Sequence, residues 1–335
     1  MAATTKDVAR IAGVSVATVS RYLNGRTVAG ENRKRIEEAI AQLGFRANPI
    51  AKTLRTSRSM TVAVVVPALA NIFSMSIIES VERYLDEYDY SVIVCDSRND
   101  PEREKNKLEF VKDKRVDGVI VMPAGPSGRH IAETLGDVPV VLIDRLADDI
   151  RADAVIVDNT NAVYHAVEQL IIRGHRRIAV IAGPQQVYTA RERMEGYRRV
   201  MTDYGLSMAE DMVLHGDYQV ESGYRLMRQL ATQSPRPSAV FVSNYEMTIG
   251  AVTCLNELAI EIPRELSVIG FDSLELSSVV RPPLAVVVQP SDEIGRMAAK
   301  TLLQRMNGDR TGFPLLVRLK TQFVSGSSIA DCRLE

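Results

Sequence analysis

The chain has 335 residues, 46% of them hydrophobic and 25% charged, which is long enough for two or three folded domains. No apolar segment approaches ~18 residues and no apolar leader is seen, so we expect a soluble cytoplasmic protein rather than a membrane protein. The three cysteines and four histidines are scattered without metal-ligand spacing, and we expect neither a metal nor a cofactor.

The segment 5–25 predicts two short helices joined by a tight turn. Thr5 is a suitable N-cap for the first helix, and Gly13 ends it, because glycine readily adopts the positive φ needed there. Ser15 then caps a second helix that runs to about Leu23. This is the pattern of a helix-turn-helix, whose second helix enters the major groove of DNA.

The surrounding residues strengthen this interpretation. Residues 1–60 contain 11 Lys and Arg but only 4 Asp and Glu, whereas the whole chain has 41 basic and 42 acidic residues. A basic N-terminal segment followed by an acidic remainder is typical of a DNA-binding domain attached to another domain. A third helix is predicted over 31–43, with Gly44 as its stop, and Asn48-Pro49 begins a short helical segment before a polar linker.

Beyond this linker, short apolar runs rich in Val and Ile alternate with longer amphipathic stretches. The runs occupy residues 62–67, 91–95, 117–123, 138–144, 153–158, 177–183, 238–243, 266–272 and 285–289. Continuous apolar strands that alternate with helices indicate parallel sheets covered on both faces. Because the body is too long for one such sheet, we expect two doubly wound lobes with a ligand crevice between them.

Several segments resemble the LacI/GalR family of bacterial transcription regulators, over essentially the whole chain. The most specific are TKDVARIAGVSVATVSRYLNG from Thr5 and SVIGFDSLELSSVVRPPLAVVVQP from Ser267, and further matches are NPIAKTLRT, KRVDGVIVMP, GHRRIAVIAGP and TARERMEGYR. The resemblance implies an α/β protein with a three-helix helix-turn-helix headpiece, a hinge helix and a core like a periplasmic sugar-binding protein.

This resemblance also suggests domain boundaries. The headpiece would span 1–47, the hinge helix and linker 48–60, and the effector-binding core 61–335. Within the core, the N-lobe would comprise about 61–160 and 290–322, and the C-lobe about 161–289 and 323–330.

The family implies a repressor that binds a palindromic operator as a homodimer and is controlled by a sugar or sugar derivative in the crevice. The C-terminal residues 325–335 lack a leucine heptad, so we expect a dimer rather than a tetramer. The sequence leaves open whether the effector induces or co-represses. It also leaves open a protein co-repressor, for which it gives no positive sign.

The resemblance assigns DNA contacts to the headpiece and hinge. Because arginine can pair bidentately with guanine, Arg21 should carry much of the direct readout. Leu54 matches the hinge leucine that levers open a central base step in the minor groove. Base contacts are expected from Val16, Ala17, Arg21 and Leu54. Backbone contacts are expected from Thr5, Ser15, Thr18, Ser20, Asn24 and Arg33.

The resemblance also maps effector contacts onto polar and aromatic residues of both lobes. These are Asn71, Phe73, Asp144, Arg191, Tyr218, Asn244, Tyr245, Asp272 and Gln289. Asp and Asn side chains can hydrogen-bond to the neighbouring hydroxyl groups of a sugar, and an Arg guanidinium can donate to two oxygens at once. The chain departs from the family at Ile72, which replaces a proline, and at Tyr245, which replaces an aspartate. Losing a carboxylate and gaining a ring would admit a larger or less hydroxylated ligand, such as a nucleoside or a modified sugar.

Two other classes of function fit the sequence less well. The body alone would serve a ligand-binding protein of the periplasmic type without DNA function, but the basic headpiece argues against it. An enzyme is disfavoured, because the sequence contains no GxGxxG, no Walker A motif, no GxSxG and no metal-spaced histidine pair.

Overall fold

The computed structural model of the chain describes residues 3–23, 27–45, 58–272, 277 and 279–334. The chain divides between Met60 and Thr61 into two compact units, and each has a hydrophobic core of its own. In the described part of the chain, no helix is both long and apolar enough to cross a membrane.

The first unit contains the helices α1 (Thr5–Ala12), α2 (Val16–Leu23) and α3 (Gly30–Leu43). Its core consists of Val8, Ala9, Ala12, Val19, Ile36 and Ala39. Gly13 and Gly44 end α1 and α3 in the left-handed conformation, with φ of 61° and 56°, which confirms both predicted stops. Ser15 caps α2 as predicted, because its Oγ accepts a hydrogen bond from the Thr18 N–H at 3.1 Å.

The N-cap of α1 is Thr4, and the prediction of Thr5 is wrong by one residue. The Thr4 hydroxyl accepts a hydrogen bond from the Asp7 N–H at 3.3 Å, and the Asp7 carboxylate accepts one from the Thr4 N–H at 3.0 Å. This reciprocal capping box needs partners three residues apart, and Thr4 and Asp7 have that spacing. Thr5 therefore lies inside the first turn.

The second unit contains two six-stranded sheets. The first has the order β11-β5-β4-β3-β1-β2, with every neighbouring pair parallel. Its strands are β1 (Thr61–Val66), β2 (Ser91–Asp96), β3 (Gly118–Val121), β4 (Val140–Ile143), β5 (Asp153–Val157) and β11 (Leu316–Leu319). The second has the order β12-β10-β9-β8-β6-β7, in which only β10 and β12 are antiparallel. Its strands are β6 (Ile178–Ala182), β7 (Val213–His215), β8 (Ala239–Val242), β9 (Ser267–Phe271), β10 (Ala285–Val288) and β12 (Gln322–Val324).

Helices cover both faces of each sheet, as parallel sheets require. Beside the first sheet lie α4 (Ile72–Asp86), α5 (Pro101–Asp113), α6 (Arg129–Leu135) and α11 (Ser291–Met306). Beside the second lie α7 (Asn159–Ile172), α8 (Tyr188–Asp203), α9 (Val220–Ala231) and α10 (Tyr245–Glu257). The helices α7 and α8 pack on one face of the second sheet, and α9 and α10 pack on the other. The chain passes between the sheets after β5, after β10 and after β11.

The structure confirms strands in all nine predicted apolar runs, and it adds three strands that the sequence analysis missed. These are β7, β11 and β12, which have only three or four residues, lie at sheet edges and contain no buried residue. An edge strand packs on fewer neighbours, so its sequence carries a weaker apolar signal.

Several helices of the second unit begin within a few residues of the carboxyl end of a strand, at an Asn or Asp that caps them. Asn71 Oδ1 accepts from the Ser74 N–H at 2.9 Å and thereby starts α4. Asn244 Oδ1 accepts from the Met247 N–H at 3.2 Å and starts α10. These caps fix both amides at the carboxyl ends of the strands, where ligands bind in open α/β sheets.

Candidate functional sites

A crevice of about 500 Å³ lies between the two lobes. It is formed where strands of both sheets end, and residues from both lobes line it. Eight of the nine predicted effector residues lie in its wall, and their contact with an effector stays a prediction. The eight are Asn71, Phe73, Asp144, Tyr218, Asn244, Tyr245, Asp272 and Gln289.

Two of these residues occupy equivalent places in the two lobes. Asp144 follows β4 and Asp272 follows β9, which are the third strands of their sheets. Both have left-handed backbones, with φ of 62° and 58°, and each donates its N–H to the adjacent strand, at Val155 O and Val287 O. Aspartate tolerates this conformation better than most residues. The shared turn presents one carboxylate to the crevice from each side.

Arg191 does not line the crevice, and Arg193 takes its place. Arg191 is exposed and donates to the backbone carbonyls of Gln185 and Gln186 at 3.4 and 3.0 Å. The reason is helical phase, because two residues along a helix differ by about 200° in direction. Periodicity could have shown this, since Arg193 shares the inward face of α8 with the buried residues Ala190, Met194 and Tyr197.

Arg193 is held firmly beneath the crevice and is only 5% exposed. Its Nε donates to Asn159 Oδ1 at 2.8 Å, and its Nη1 donates to the Ser243 carbonyl at 2.7 Å. The guanidinium also lies 3.7 Å from the centroid of the Phe271 ring. These contacts fix a positive charge in the crevice wall with little freedom to move.

Glu246 lines the crevice as well, and the sequence analysis missed it. Its carboxylate accepts one hydrogen bond from Asn71 Nδ2 and another from Asn244 Nδ2, each at 2.6 Å. The sequence predicts that Tyr245 removes a carboxylate from this corner. The structure instead supplies one from the next residue, so the crevice keeps a carboxylate here and gains the Tyr245 ring as well.

Burial changes the ionisation of the two equivalent aspartates. It raises the pKa of Asp272 to about 6, although the nearby Arg193 guanidinium opposes the change. Burial also raises the pKa of Asp144, against the opposing charges of Arg145 and Arg193. Gln289 Nε2 donates to both carboxylate oxygens of Asp272 at 2.9 Å.

Four buried polar atoms of wall residues have no hydrogen-bond partner among the described residues. They are Asp144 Oδ1, Arg145 Nε, the Tyr218 hydroxyl and Gln289 Oε1. A buried polar atom without a partner costs free energy, and a ligand can remove that cost by supplying the missing bond. The wall therefore offers both acceptors and donors to a small molecule that carries hydroxyl groups.

In the first unit, α2 places Val19 in the core and presents its other side to solvent. Val16 is 46% exposed, and Ala17 and Arg21 are exposed as well. These three are the predicted base-reading residues that the structure describes. An exposed face on the second helix of a helix-turn-helix is what insertion into a groove requires.

The residues predicted to contact the DNA backbone differ in their exposure and in their contacts within the protein. The Ser15 and Thr18 hydroxyls lie 2.8 Å from each other, while Thr5 and Ser20 are partly exposed. Arg33 is exposed, and its Nε pairs with Glu37 Oε1 at 2.8 Å. Asn24 and Leu54 lie outside the described residues, as does most of the predicted hinge segment.

Comparison with known proteins agrees with both units. Residues 59–317 match the family described as periplasmic binding proteins and sugar binding domain of the LacI family. Residues 4–48 match the bacterial regulatory proteins of the lacI family.

Two curated relatives extend the match over nearly the full chain. The ribose operon repressor of Escherichia coli strain K12 is 35% identical over 307 residues, which cover 91% of this chain and 93% of the relative. Catabolite control protein A of Priestia megaterium is 34% identical over 310 residues, which cover 92% of this chain and 93% of the relative. Among solved structures, the lac repressor dimer bound to operator and the anti-inducer ONPF has a TM-score of 0.89 at 26% identity, covering 98% of this chain and 100% of that one.

A helix-turn-helix headpiece on the same chain as a two-lobed core of the sugar-binding type defines a transcription regulator that binds DNA. The chain belongs to the LacI family of bacterial regulatory proteins.

Proposed function

We propose that this regulator is a repressor that binds a palindromic operator as a homodimer and changes its DNA affinity when a small hydroxylated molecule fills the crevice. The observation that carries the proposal is the convergence of polar side chains from both lobes on one cavity of about 500 Å³. Such a cavity is typical of small-ligand sites. Acting on DNA, the protein would work in the cytoplasm.

The DNA side of the proposal rests on the exposed face of α2. Val16 and Ala17 would contact apolar base edges such as a thymine methyl, and Arg21 would pair with a guanine. A two-fold dimer presents two such helices to two half-sites, and the similar lac repressor structure is a dimer on its operator. The proposed backbone contacts are Thr5, Ser15, Thr18, Ser20, Asn24 and Arg33, with Leu54 as the minor-groove wedge.

On the effector side, the proposal replaces Arg191 by Arg193 and adds Glu246. We expect a neutral sugar, because the wall holds five carboxylate side chains against three arginines, and this excess of negative charge would repel an anionic ligand. The carboxylates are those of Asp96, Asp144, Asp217, Glu246 and Asp272, and the arginines are Arg98, Arg145 and Arg193. The ribose operon repressor among the relatives makes D-ribose the first molecule to test. A nucleoside is the second candidate, because the Tyr218 and Tyr245 rings both line the cavity.

An effector can control DNA binding only if it prefers one arrangement of the lobes. The crevice lies between lobes that the chain links through several connections, so a ligand held by both lobes favours the closed arrangement. We therefore expect effector binding to change the fraction of protein bound to DNA, and a titration of operator DNA with and without effector establishes the direction.

The test is to incubate the full-length protein with sheared DNA from its own genome and to sequence the bound fragments. We expect an enriched palindrome, and Arg21→Ala run in parallel should enrich it less. The enriched DNA is then titrated with protein in the presence of D-ribose, adenosine or neither. Absence of any enriched palindrome, with the folded state verified by circular dichroism, would contradict the proposed repressor function.

A further inference from the structure

One carboxylate joins the two lobes across the crevice. Glu246 lies in the first turn of α10, in the lobe built on the second sheet. Asn71 precedes α4, in the lobe built on the first sheet. Asn71 Nδ2 donates to Glu246 Oε1 at 2.6 Å, and this bond joins residues 175 positions apart.

Both amides that bind Glu246 are held in one orientation by the helices they cap. Asn71 Oδ1 accepts from the Ser74 N–H at 2.9 Å, and Asn244 Oδ1 accepts from the Met247 N–H at 3.2 Å. Flipping either amide would give up its cap, which is worth about 1 kcal/mol. Each Nδ2 group therefore points toward Glu246, whose two oxygens accept one hydrogen bond each.

We propose that Glu246 is a latch that holds the lobes together in the absence of effector. Hydrogen bonds to an ionised acceptor are stronger than neutral ones, so a single side chain can bias the arrangement of the lobes. The latch occupies the same two amides, Asn71 and Asn244, that the proposed effector would use. An effector that binds these amides must then displace Glu246 and take over its bridging role. This regulatory role rests on the proposed function of the crevice.

The chemistry of the bridge permits an exchange of donor and acceptor. In Glu246→Gln, one end of the new amide carries N–H groups and must face the N–H groups of Asn71 or of Asn244. In Asn71→Asp, the cap survives because aspartate caps as well as asparagine, but two carboxylates then face each other across the crevice. In the double variant, the introduced glutamine can donate its amide N–H to the introduced aspartate while its amide oxygen accepts from Asn244, so the bridge is restored.

The experiment measures lobe separation directly in the full-length protein, without DNA and without any sugar. Nitroxide labels are placed at Glu133→Cys on α6 and Gln229→Cys on α9, both exposed, and the partly exposed Cys332 is replaced by serine. An excess of unlabelled protein suppresses distances between subunits. Pulsed electron–electron double resonance then gives the distribution of distances between the two labels, and hence between the lobes, for each variant.

We expect both single variants to lower the ratio of closed to open lobes about tenfold, the effect of losing one hydrogen bond to a charged group. The double variant should return the distribution toward that of the starting protein. Glu257→Gln is the matched control, because Glu257 lies on the same helix and pairs with Tyr224 of the same lobe. It should leave the distribution unchanged.

Identical distributions for all variants would overturn the latch, and so would single variants that open the lobes without rescue in the double variant. Neither result depends on an operator or an effector. A failure of the latch can therefore be told apart from a failure of the proposed repressor function, which the fragment selection tests separately.

Discussion

The two candidate recognition surfaces of this regulator are built in opposite ways. On α2 the proposed base-reading side chains are exposed, and the helix is anchored by Val19 on its other side. In the crevice the proposed ligand contacts are buried or half-buried, and several are hydrogen-bonded to one another, as Asp272 is to Gln289 and Glu246 is to both Asn71 and Asn244.

On α2, substituting a recognition residue should affect binding but not stability. In the crevice, it should affect both. A side chain that touches only solvent can be removed with little effect on folding. A buried, hydrogen-bonded side chain leaves unpaired partners behind when it is removed, so both folding and binding suffer. Substitutions in the two regions should therefore have different effects on folding and on binding.

The largest effect is expected for Arg193→Ala. The variant loses two buried hydrogen bonds donated by the charged guanidinium, and Asn159 Oδ1 and the Ser243 carbonyl lose this donor. We therefore expect the free energy of unfolding to fall by about 3 kcal/mol. Urea unfolding followed by circular dichroism measures the loss. Arg191→Ala is the matched control on the same helix and should stay within about 0.5 kcal/mol, because Arg191 is exposed. Equal effects would show that the arginines do not differ in the way their burial indicates.

The next effect is a pH dependence caused by Asp272. Burial raises its pKa to about 6 in the folded chain, whereas an unfolded aspartate titrates near ~4. The folded state therefore holds the proton more tightly, and its stability falls as the pH rises from about 4 to about 6. Asp272→Asn removes this loss while keeping an oxygen that can accept from Gln289.

Relative to the starting protein, Asp272→Asn should gain on the order of 2 kcal/mol across that pH range. Unfolding free energies measured at several pH values test this. Asp144→Asn should change in the same direction, since burial raises the pKa of that carboxyl too. If the unfolding free energies of Asp272→Asn and of the starting protein changed equally with pH, the raised pKa of Asp272 would be contradicted.

These cases show why sequence reasoning placed some residues correctly and others not. Asp272 and Gln289 directly follow continuous apolar runs, so their position at strand ends could be predicted. Arg191 and Arg193 belong to one matching motif, and only the helical phase separates them. Glu246 could not be found locally, because its bond to Asn71 joins two lobes through residues 175 positions apart.

On the exposed surface, Arg21→Ala should change recognition and not folding. Losing a bidentate contact to guanine should reduce the preference for the enriched operator over random DNA by about 2 kcal/mol. Unfolding free energy should stay within about 0.5 kcal/mol. Arg33→Ala is the companion variant, because a contact with a phosphate would weaken binding to both DNAs equally. An equal loss on both DNAs for Arg21→Ala would assign Arg21 to the backbone instead.

The smallest effect separates two adjacent threonines at the start of α1. Thr4→Ala removes the hydroxyl that accepts from the Asp7 N–H and should destabilise the headpiece by about 1 kcal/mol. Thr5→Ala removes no cap, so hydrogen exchange of the α1 amides in the full-length protein should speed up only in Thr4→Ala. If Thr5 contacts the DNA backbone as proposed, its variant should instead lower operator affinity and leave that exchange unchanged. Faster exchange in Thr5→Ala alone would place the cap at Thr5, because an N-cap is identified by the amides it protects.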